Sequence, residues 1–183
     1  MRLFVGIDLP AEAKEELYQL ALELKRSSRS GRFVPPENMH LTLAFIGETR
    51  RINDADEALE HVAASFRTRV EGGFELEFSG VGSFKQQRGH TWWIGIGEGP
   101  GRVQLLSLQA EVVQALRSAD FDIEKRSYKP HFTLARAVKT EGLVRLAPPM
   151  LTIPVEEFCL FSSRSVDGKQ EYTIEQRYPL GRG

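Results

Sequence analysis

Cysteine is almost absent from this sequence. Cys159 stands alone, so no internal disulfide can form, no Cys/His spacing resembles a zinc site, and a reducing compartment fits. Long apolar runs are missing too. The opening Leu3-Phe4-Val5-Gly6-Ile7 stops at Asp8 and Pro10, too short for a signal-peptide core, and nothing approaches the ~18 residues of a membrane span. The chain is therefore expected to be cytoplasmic and to have no membrane partner. Charge of one sign is also lacking. With 24 basic against 25 acidic residues the formal net charge is −1, which excludes a global field that gathers nucleic acid, so any such contact must be local.

What is present describes an ordered globular protein. Apolar residues make up 41% and charged residues 27%, proportions that exclude a largely disordered chain. The 183 residues suffice for one sizeable core burying roughly 70% of the unfolded surface, and are short for two. One domain spanning residues 1–183 is expected. Nothing suggests a coiled coil, and a monomer is the default.

Hydrophobic periodicity orders the elements. Arg2 to Asp8 reads as a buried strand, and Pro10 starts a helix through Lys25 with Leu17, Leu20 and Leu24 at helical spacing. Ser27-Ser28-Arg29-Ser30-Gly31 reads as a polar loop leading to Pro35-Pro36-Glu37-Asn38, after which Met39 to Ile46 is an apolar strand closed by Gly47. The same order then recurs. Thr91 to Gly97 reads as a strand, Val103 to Arg117 as a helix, and a loop through Lys125-Arg126-Ser127-Tyr128-Lys129-Pro130 delivers a second apolar strand from His131. Asp54 to Val70 and, more weakly, Thr140 to Leu146 read as further helices. Phe74 to Phe84 and Thr152 to Ser163 each read as a strand pair, and Glu171 to Leu180 as a last strand before a loose Gly181-Arg182-Gly183 tail. The run Gly95 to Gly101 misses the register of a dinucleotide-binding loop and reads as a turn.

The repeat is sharpest at two hexapeptides. His40-Leu41-Thr42-Leu43-Ala44-Phe45 and His131-Phe132-Thr133-Leu134-Ala135-Arg136 share four of six residues, 91 positions apart, while Val5-Gly6-Ile7 aligns on Ile94-Gly95-Ile96 at an offset of 89. The halves run roughly 1–84 and 90–180. The expected fold is α+β: two pseudo-symmetric lobes, each a small, mostly antiparallel sheet with helices outside, with the active-site cleft between the lobes.

Residues i and i+2 of a strand share a face, so His40 and Thr42 point one way, His131 and Thr133 likewise, with apolar neighbours anchoring each strand from behind. If the lobes face each other, two imidazoles and two hydroxyls converge. That set suits in-line displacement at phosphorus: one imidazole takes a proton from water, the other gives one to the departing ribose oxygen, and the threonines donate hydrogen bonds to phosphate oxygens. Arg136 could neutralise phosphate charge, but strict alternation puts it on the opposite face, so a bulge at Ala135 is required to turn it inward. A lone histidine in an apolar strand is more often structural than catalytic. Four histidines and eight threonines give about 0.2 His-x-Thr triplets by chance, and two occur in matching contexts.

These two motifs, with the opening Arg2-Leu3-Phe4-Val5-Gly6-Ile7-Asp8-Leu9-Pro10, the Pro36-Glu37-Asn38-Met39 lead-in, Pro130, Ala135-Arg136 and the ending Tyr178-Pro179-Leu180, carry a resemblance that spans essentially the whole chain. The sequence resembles the two-histidine (2H) phosphoesterase superfamily, and within it the bacterial and archaeal RNA 2′,3′-cyclic phosphodiesterases, once called 2′-5′ RNA ligases. Met39 and Gly6 stand where related sequences often carry Leu and Ala. The resemblance implies hydrolysis of a 2′,3′-cyclic phosphate on an RNA end or nucleotide to a 2′-phosphomonoester. His40 would be the proton donor, His131 the proton acceptor, and Thr42, Thr133 and Arg136 the phosphate holders, with no metal and no cofactor.

Two other classes compete. An RNA-binding protein could use the same cleft without turnover, drawing on Lys125, Arg126 and Lys129 and on aromatics such as Phe45, Phe84, Tyr128, Trp92 or Trp93. Ligation through a 2′,5′ linkage is the reverse reaction at the same residues. A metal held by His40 and His131 is disfavoured because no carboxylate or cysteine recurs in both motifs. His61 and His90 read as surface residues.

Overall fold

The apolar strands that open each half of the repeat become the spines of two antiparallel sheets. The computed structural model describes residues 1–70 and 72–181. In chain order the elements are β1 (Arg2–Asp8), α1 (Ala11–Arg26), β2 (Ser28–Phe33), a 3₁₀ turn (Pro36–Asn38), β3 (His40–Glu48), α2 (Ile52–Arg69), β4 (Phe74–Gln86), β5 (Gly89–Ile96), α3 (Pro100–Ser118), β6 (His131–Thr140), β7 (Thr152–Val155), β8 (Glu157–Val166) and β9 (Lys169–Pro179). One sheet runs β3-β1-β8-β9 and the other β2-β6-β5-β4-β7, so the expected α+β architecture of two small sheets with helices is the one observed. Among the described residues no helix is long and apolar enough to cross a membrane.

Burial explains the strand patterns. Leu3, Val5 and Ile7 enter the main core, while Phe4, between them, joins Cys159 and Phe161 on the other face of the sheet. A strand covered on both sides reads as a continuous apolar run, as β1 does. The helices contribute single stripes: Ala13, Leu17, Leu20, Ala21 and Leu24 from α1, and Leu105, Leu108, Val112 and Leu116 from α3. Each fully buried leucine is worth about 1.5–3 kcal/mol.

The sheets do not follow the halves of the repeat. β2 and β4, from the first half, pair with β6 and β5 in the second sheet, and β8, from the second half, pairs with β1 in the first. Each half thus lends strands to the other, and one main core takes residues from both. This exchange holds the two motif strands in a fixed relation.

Local expectations failed where tertiary pairing overrode composition. The Ser27–Gly31 stretch is not a loop, because most of it lies in β2, an edge strand completed by pairing with β6. No helix forms over Thr140–Leu146: β6 extends to Thr140 and irregular chain follows to Leu151. Phe74–Phe84 is part of a single 13-residue strand, whose register shift between Phe78 and Val81 lets one end pair with β7 and the other with β5. Thr152–Ser163 is two strands, as expected, but they belong to different sheets. Arg182 and Gly183 lie outside the described residues.

Candidate active site

Both motif strands begin at their histidines, and both bury the same positions. In β3, His40 and Thr42 are half-buried, Leu41, Leu43 and Ala44 are buried, and Phe45 is exposed. In β6, His131 and Thr133 are half-buried, Phe132, Leu134 and Ala135 are buried, and Arg136 is exposed. Two consecutive buried residues break the alternation. The registers show why: Gly6 opposes Thr42 and Val5 opposes Ala44, just as Trp93 opposes Thr133 and Trp92 opposes Ala135. Each motif strand spends two residues against one of its neighbour, which is a β-bulge. The bulge that Arg136 required is present, and it returns Arg136 to the face of His131 and Thr133. In the first motif the same device exposes Phe45, so the two halves present different chemistry at one equivalent position.

The strand beside each histidine carries glycine. Gly95 opposes His131, and a Cβ there would come within 2.5 Å of Ser79 Oγ. A Cβ on Gly6 would meet Leu41 O at 2.9 Å and His40 Cδ2 at 3.5 Å. Gly6 thus leaves room for the His40 imidazole, whereas Gly95 leaves room for Ser79.

Both rings are held the same way. His40 Nδ1 lies 2.8 Å from Asn38 O, and His131 Nδ1 lies 2.7 Å from Lys129 O. A carbonyl only accepts, so Nδ1 carries the proton in each ring and Nε2 is the site that exchanges one. Thr42 Oγ1 lies 3.0 Å from His40 Nε2 and donates to it while the ring is neutral.

Their surroundings differ. The His40 ring is packed against Phe4 at 4.7 Å, Tyr172 at 5.1 Å and Phe161 at 5.8 Å between centroids. Burial lowers its pKa from 6.5 to about 4, against the raising effects of the Asn38 hydrogen bond and Asp8, with Arg136 and Lys14 lowering it further. Asp8 stands opposite His40 on β1, in a 2.6 Å ion pair with Lys14. At neutral pH the His40 ring of the free protein is therefore uncharged.

The lowered value has a consequence for stability. Between pH 6.5 and 4 the unfolded chain binds a proton that folded His40 does not, so folding stability rises with pH through this window and is lost on acidification. The loss by pH 4 is about 3 kcal/mol at most. Denaturant titrations at pH 7 and pH 4.5 should show a smaller drop for His40→Gln than for the parent chain, and equal drops would show that burial of His40 is not the cause.

The lobes meet at the motif strands. β3 packs against β6, and Tyr128 Oη donates to Thr42 O at 2.9 Å. The charge of Arg136, carried on the second sheet, is felt at His40 on the first. β3 and β6, which carry His40, Thr42, His131, Thr133 and Arg136, thus pack side by side.

Other sequence candidates divide. Trp92 and Tyr128 pack against the core, whereas Trp93 lies 6.5 Å from the His131 ring, and Phe84 and Phe45 are 46% and 52% exposed. Arg126 is paired with Glu124 at 3.1 Å, and it and Lys125 line a groove beside α3 that contains neither histidine. His61 is exposed and bonded to Glu57 O, as expected. His90 is instead a half-buried residue of β5, 3.3 Å from Ser83 Oγ. Among the described residues no three His, Cys, Asp or Glu side chains cluster as metal ligands would. Asp8 and Tyr172 went unnoticed in the sequence, and no local pattern marks either, because each reaches His40 only through strand pairing.

The model of the LigT-like phosphoesterases matches residues 7–93 and 96–169, a span that contains both motifs. The chain belongs to this family. It is 34% identical over 182 residues to the RNA 2′,3′-cyclic phosphodiesterase of Escherichia coli K12, covering 98% of this chain and 96% of the relative. It is 30% identical over 186 residues to the Thermus thermophilus protein of the same name, covering 98% and 90%. Among solved structures, E. coli LigT complexed with 3′-AMP superposes with a TM-score of 0.78 at 29% identity, covering 99% of this chain and 98% of that one. The T. thermophilus protein TT0787 gives 0.77 at 26%, covering both chains fully. Membership of the LigT-like family accounts for a fold that extends over the whole length.

Proposed function

We propose that this LigT-like phosphoesterase hydrolyses the 2′,3′-cyclic phosphodiester at an RNA or nucleotide end to a 2′-phosphomonoester, with residues 1–183 acting as one domain. One observation carries the reading. Two His-x-Thr strands pack side by side, each with its imidazole Nδ1 tied to a backbone carbonyl, so that Nε2 is the ring atom left to transfer a proton.

In this reading a water oxygen attacks phosphorus in line with O3′. His131 Nε2 takes the proton that water loses, the P–O3′ bond breaks, and His40 Nε2 gives a proton to O3′. The net change is addition of one water. Thr42, Thr133 and Arg136 donate to the non-bridging oxygens, where negative charge accumulates. His40 must be protonated to act as donor, although it is neutral in the free protein at pH 7. A bound phosphodiester anion adds negative charge beside the ring, as Asp8 already does, and so favours the protonated form as the reaction begins. Bulk water at ~55 M favours hydrolysis over 2′,5′ ligation at the same residues.

Incubating the protein with a 2′,3′-cyclic nucleotide and with a cyclic-phosphate-ended RNA, both in EDTA, tests the reading. A 2′-phosphate as sole product, at a rate unchanged by EDTA, is expected. A 3′-phosphate product would overturn the choice of leaving group, loss of activity in EDTA the metal independence, and binding without turnover the hydrolase reading itself.

A further inference from the structure

β2 has no counterpart in the second half of the repeat, where the chain from Phe121 to Pro130 forms no strand. The extra strand widens the second sheet at the edge next to β6, and it brings two arginines together. Arg32 is the register partner of Arg136, and both are exposed. Directly opposed residues of an antiparallel pair share a face, so Arg32 stands on the cleft side that carries His131, Thr133 and Arg136. Ser30 and Lys139, the preceding register pair on the same two strands, are also exposed.

Like charges directly opposite one another destabilise a sheet. A charge on an edge strand is a common guard against edge-to-edge pairing, but an acidic residue at position 32 would guard the edge equally well and would pair with Arg136. Among the described residues, neither Arg32 nor Arg136 has a carboxylate within ion-pair distance. Arg177, at the far edge of the other sheet, is by contrast paired with Glu157. Two adjacent unneutralised guanidiniums on one cleft wall call for an anion from outside the chain.

The two arginines occupy different depths. Arg136 shares β6 with His131 and Thr133, whereas Arg32 stands one strand outward, on the edge strand β2. Arg32 is therefore placed toward the rim of the sheet, outside the motif strand itself. Resting on the hydrolase reading above, we propose that Arg32 is a phosphodiester-binding residue, contacting the linkage immediately upstream of the cyclic end, so that the site is built for oligonucleotide ends in preference to free cyclic mononucleotides. The spacing of neighbouring strands, ~4.8 Å, with two long side chains that can splay, suits two successive phosphates of a single strand.

The test compares Arg32→Ala, Arg32→Lys and the parent chain on a short cyclic-phosphate-ended oligoribonucleotide and on the matching 2′,3′-cyclic mononucleotide. On the oligonucleotide, Arg32→Ala should lower kcat/KM about tenfold, mainly through KM, as expected of one lost charge-assisted contact. The slope of log(kcat/KM) against log salt should fall by about one. The mononucleotide, which has no upstream phosphate, should lose less than about threefold on the same reasoning. Arg32→Lys should recover much of the oligonucleotide rate, and the thermal midpoint of Arg32→Ala should not fall, since one of two opposed like charges has been removed. Equal losses on both substrates, or none on either, would overturn the subsite. If the parent chain turns over neither substrate, the hydrolase reading fails separately. Affinity for a 2′-phosphate-ended oligoribonucleotide then decides the subsite: weaker binding by Arg32→Ala supports it, and equal binding by parent and Arg32→Ala overturns it.

Discussion

His131→Ala should lower kcat on a cyclic-phosphate-ended RNA by about 10²–10⁴-fold, the usual contribution of one general acid or base, and His40→Ala by a comparable factor. The double variant should be little worse than either single one, because groups that act as a unit are not additive. The roles can be separated with a phosphodiester whose leaving group is a nitrophenolate, which departs without a proton. On that substrate His40→Ala should recover most of its lost rate, whereas His131→Ala, still lacking a group to take the proton from water, should not. Recovery by His131→Ala alone would exchange the two roles, and full activity of both variants on RNA would remove the histidines from the chemistry. The stake in this result is physical. Burial holds His40 neutral in the free protein, the opposite of what a proton donor needs at rest, so the donor role depends on substrate charge to restore the proton.

Arg136→Gln should cost about 10²-fold, expressed chiefly in kcat, as is typical when a donor to developing oxyanion charge is removed. Arg136→Lys should recover only part, since an ammonium lacks the planar fork that grips two phosphate oxygens. A second readout separates this effect from misfolding. Arg136 lowers the pKa of His40, so an NMR titration of the His40 ring should show its pKa rise in Arg136→Gln. An unchanged titration together with unchanged kcat would place the guanidinium away from the cleft. The backbone around Arg136 is itself costly to hold: Ala137, the next residue, has φ 53, a left-handed conformation that disfavours a Cβ, and the β6 registers shift on both sides of Ala135. Strain of order 1 kcal/mol kept beside a functional side chain fits its use in orienting that side chain.

The aromatic and basic walls of the cleft are set by one position of the repeat. Phe45 and Arg136 follow identical bulges, and around them the first sheet offers Phe45 and Tyr172 while the second offers Arg136 and Arg32. A nucleotide end has the same division, an apolar base and a charged backbone. In the function proposed above, base contacts by Phe45 and backbone contacts by Arg32 would belong to one orientation of the substrate.

The strands and the three long helices were legible in the sequence because their signals are local. β1 was read over its observed span, α1, α2 and α3 within a few residues at either end, and both His-x-Thr strands from their alternation. The duplication made the site legible as well, since a pair of matched motifs is far less probable than one. Where composition misled, pairing was responsible: the polar residues of β2 carry no strand signal, and only the open edge of β6 makes them a strand. The segment after Thr140 has apolar residues at near-helical spacing, but no helix forms where β6 and its irregular continuation occupy the chain.

Which groups share a face of each motif strand was thus determined by the sequence alone, because residue types and their i, i+2 spacing decide it. That Arg136 needed a bulge was also determined there. Only the tertiary structure decided that the bulge exists, that the two halves exchange strands and the two motif strands pack together, that Phe4, Phe161 and Tyr172 close over His40, and that Arg32 stands beside Arg136. Each of these depends on which strands pair and in what register. Pairing is settled by burial across the whole core, a sum over residues far apart in the chain that no local window contains.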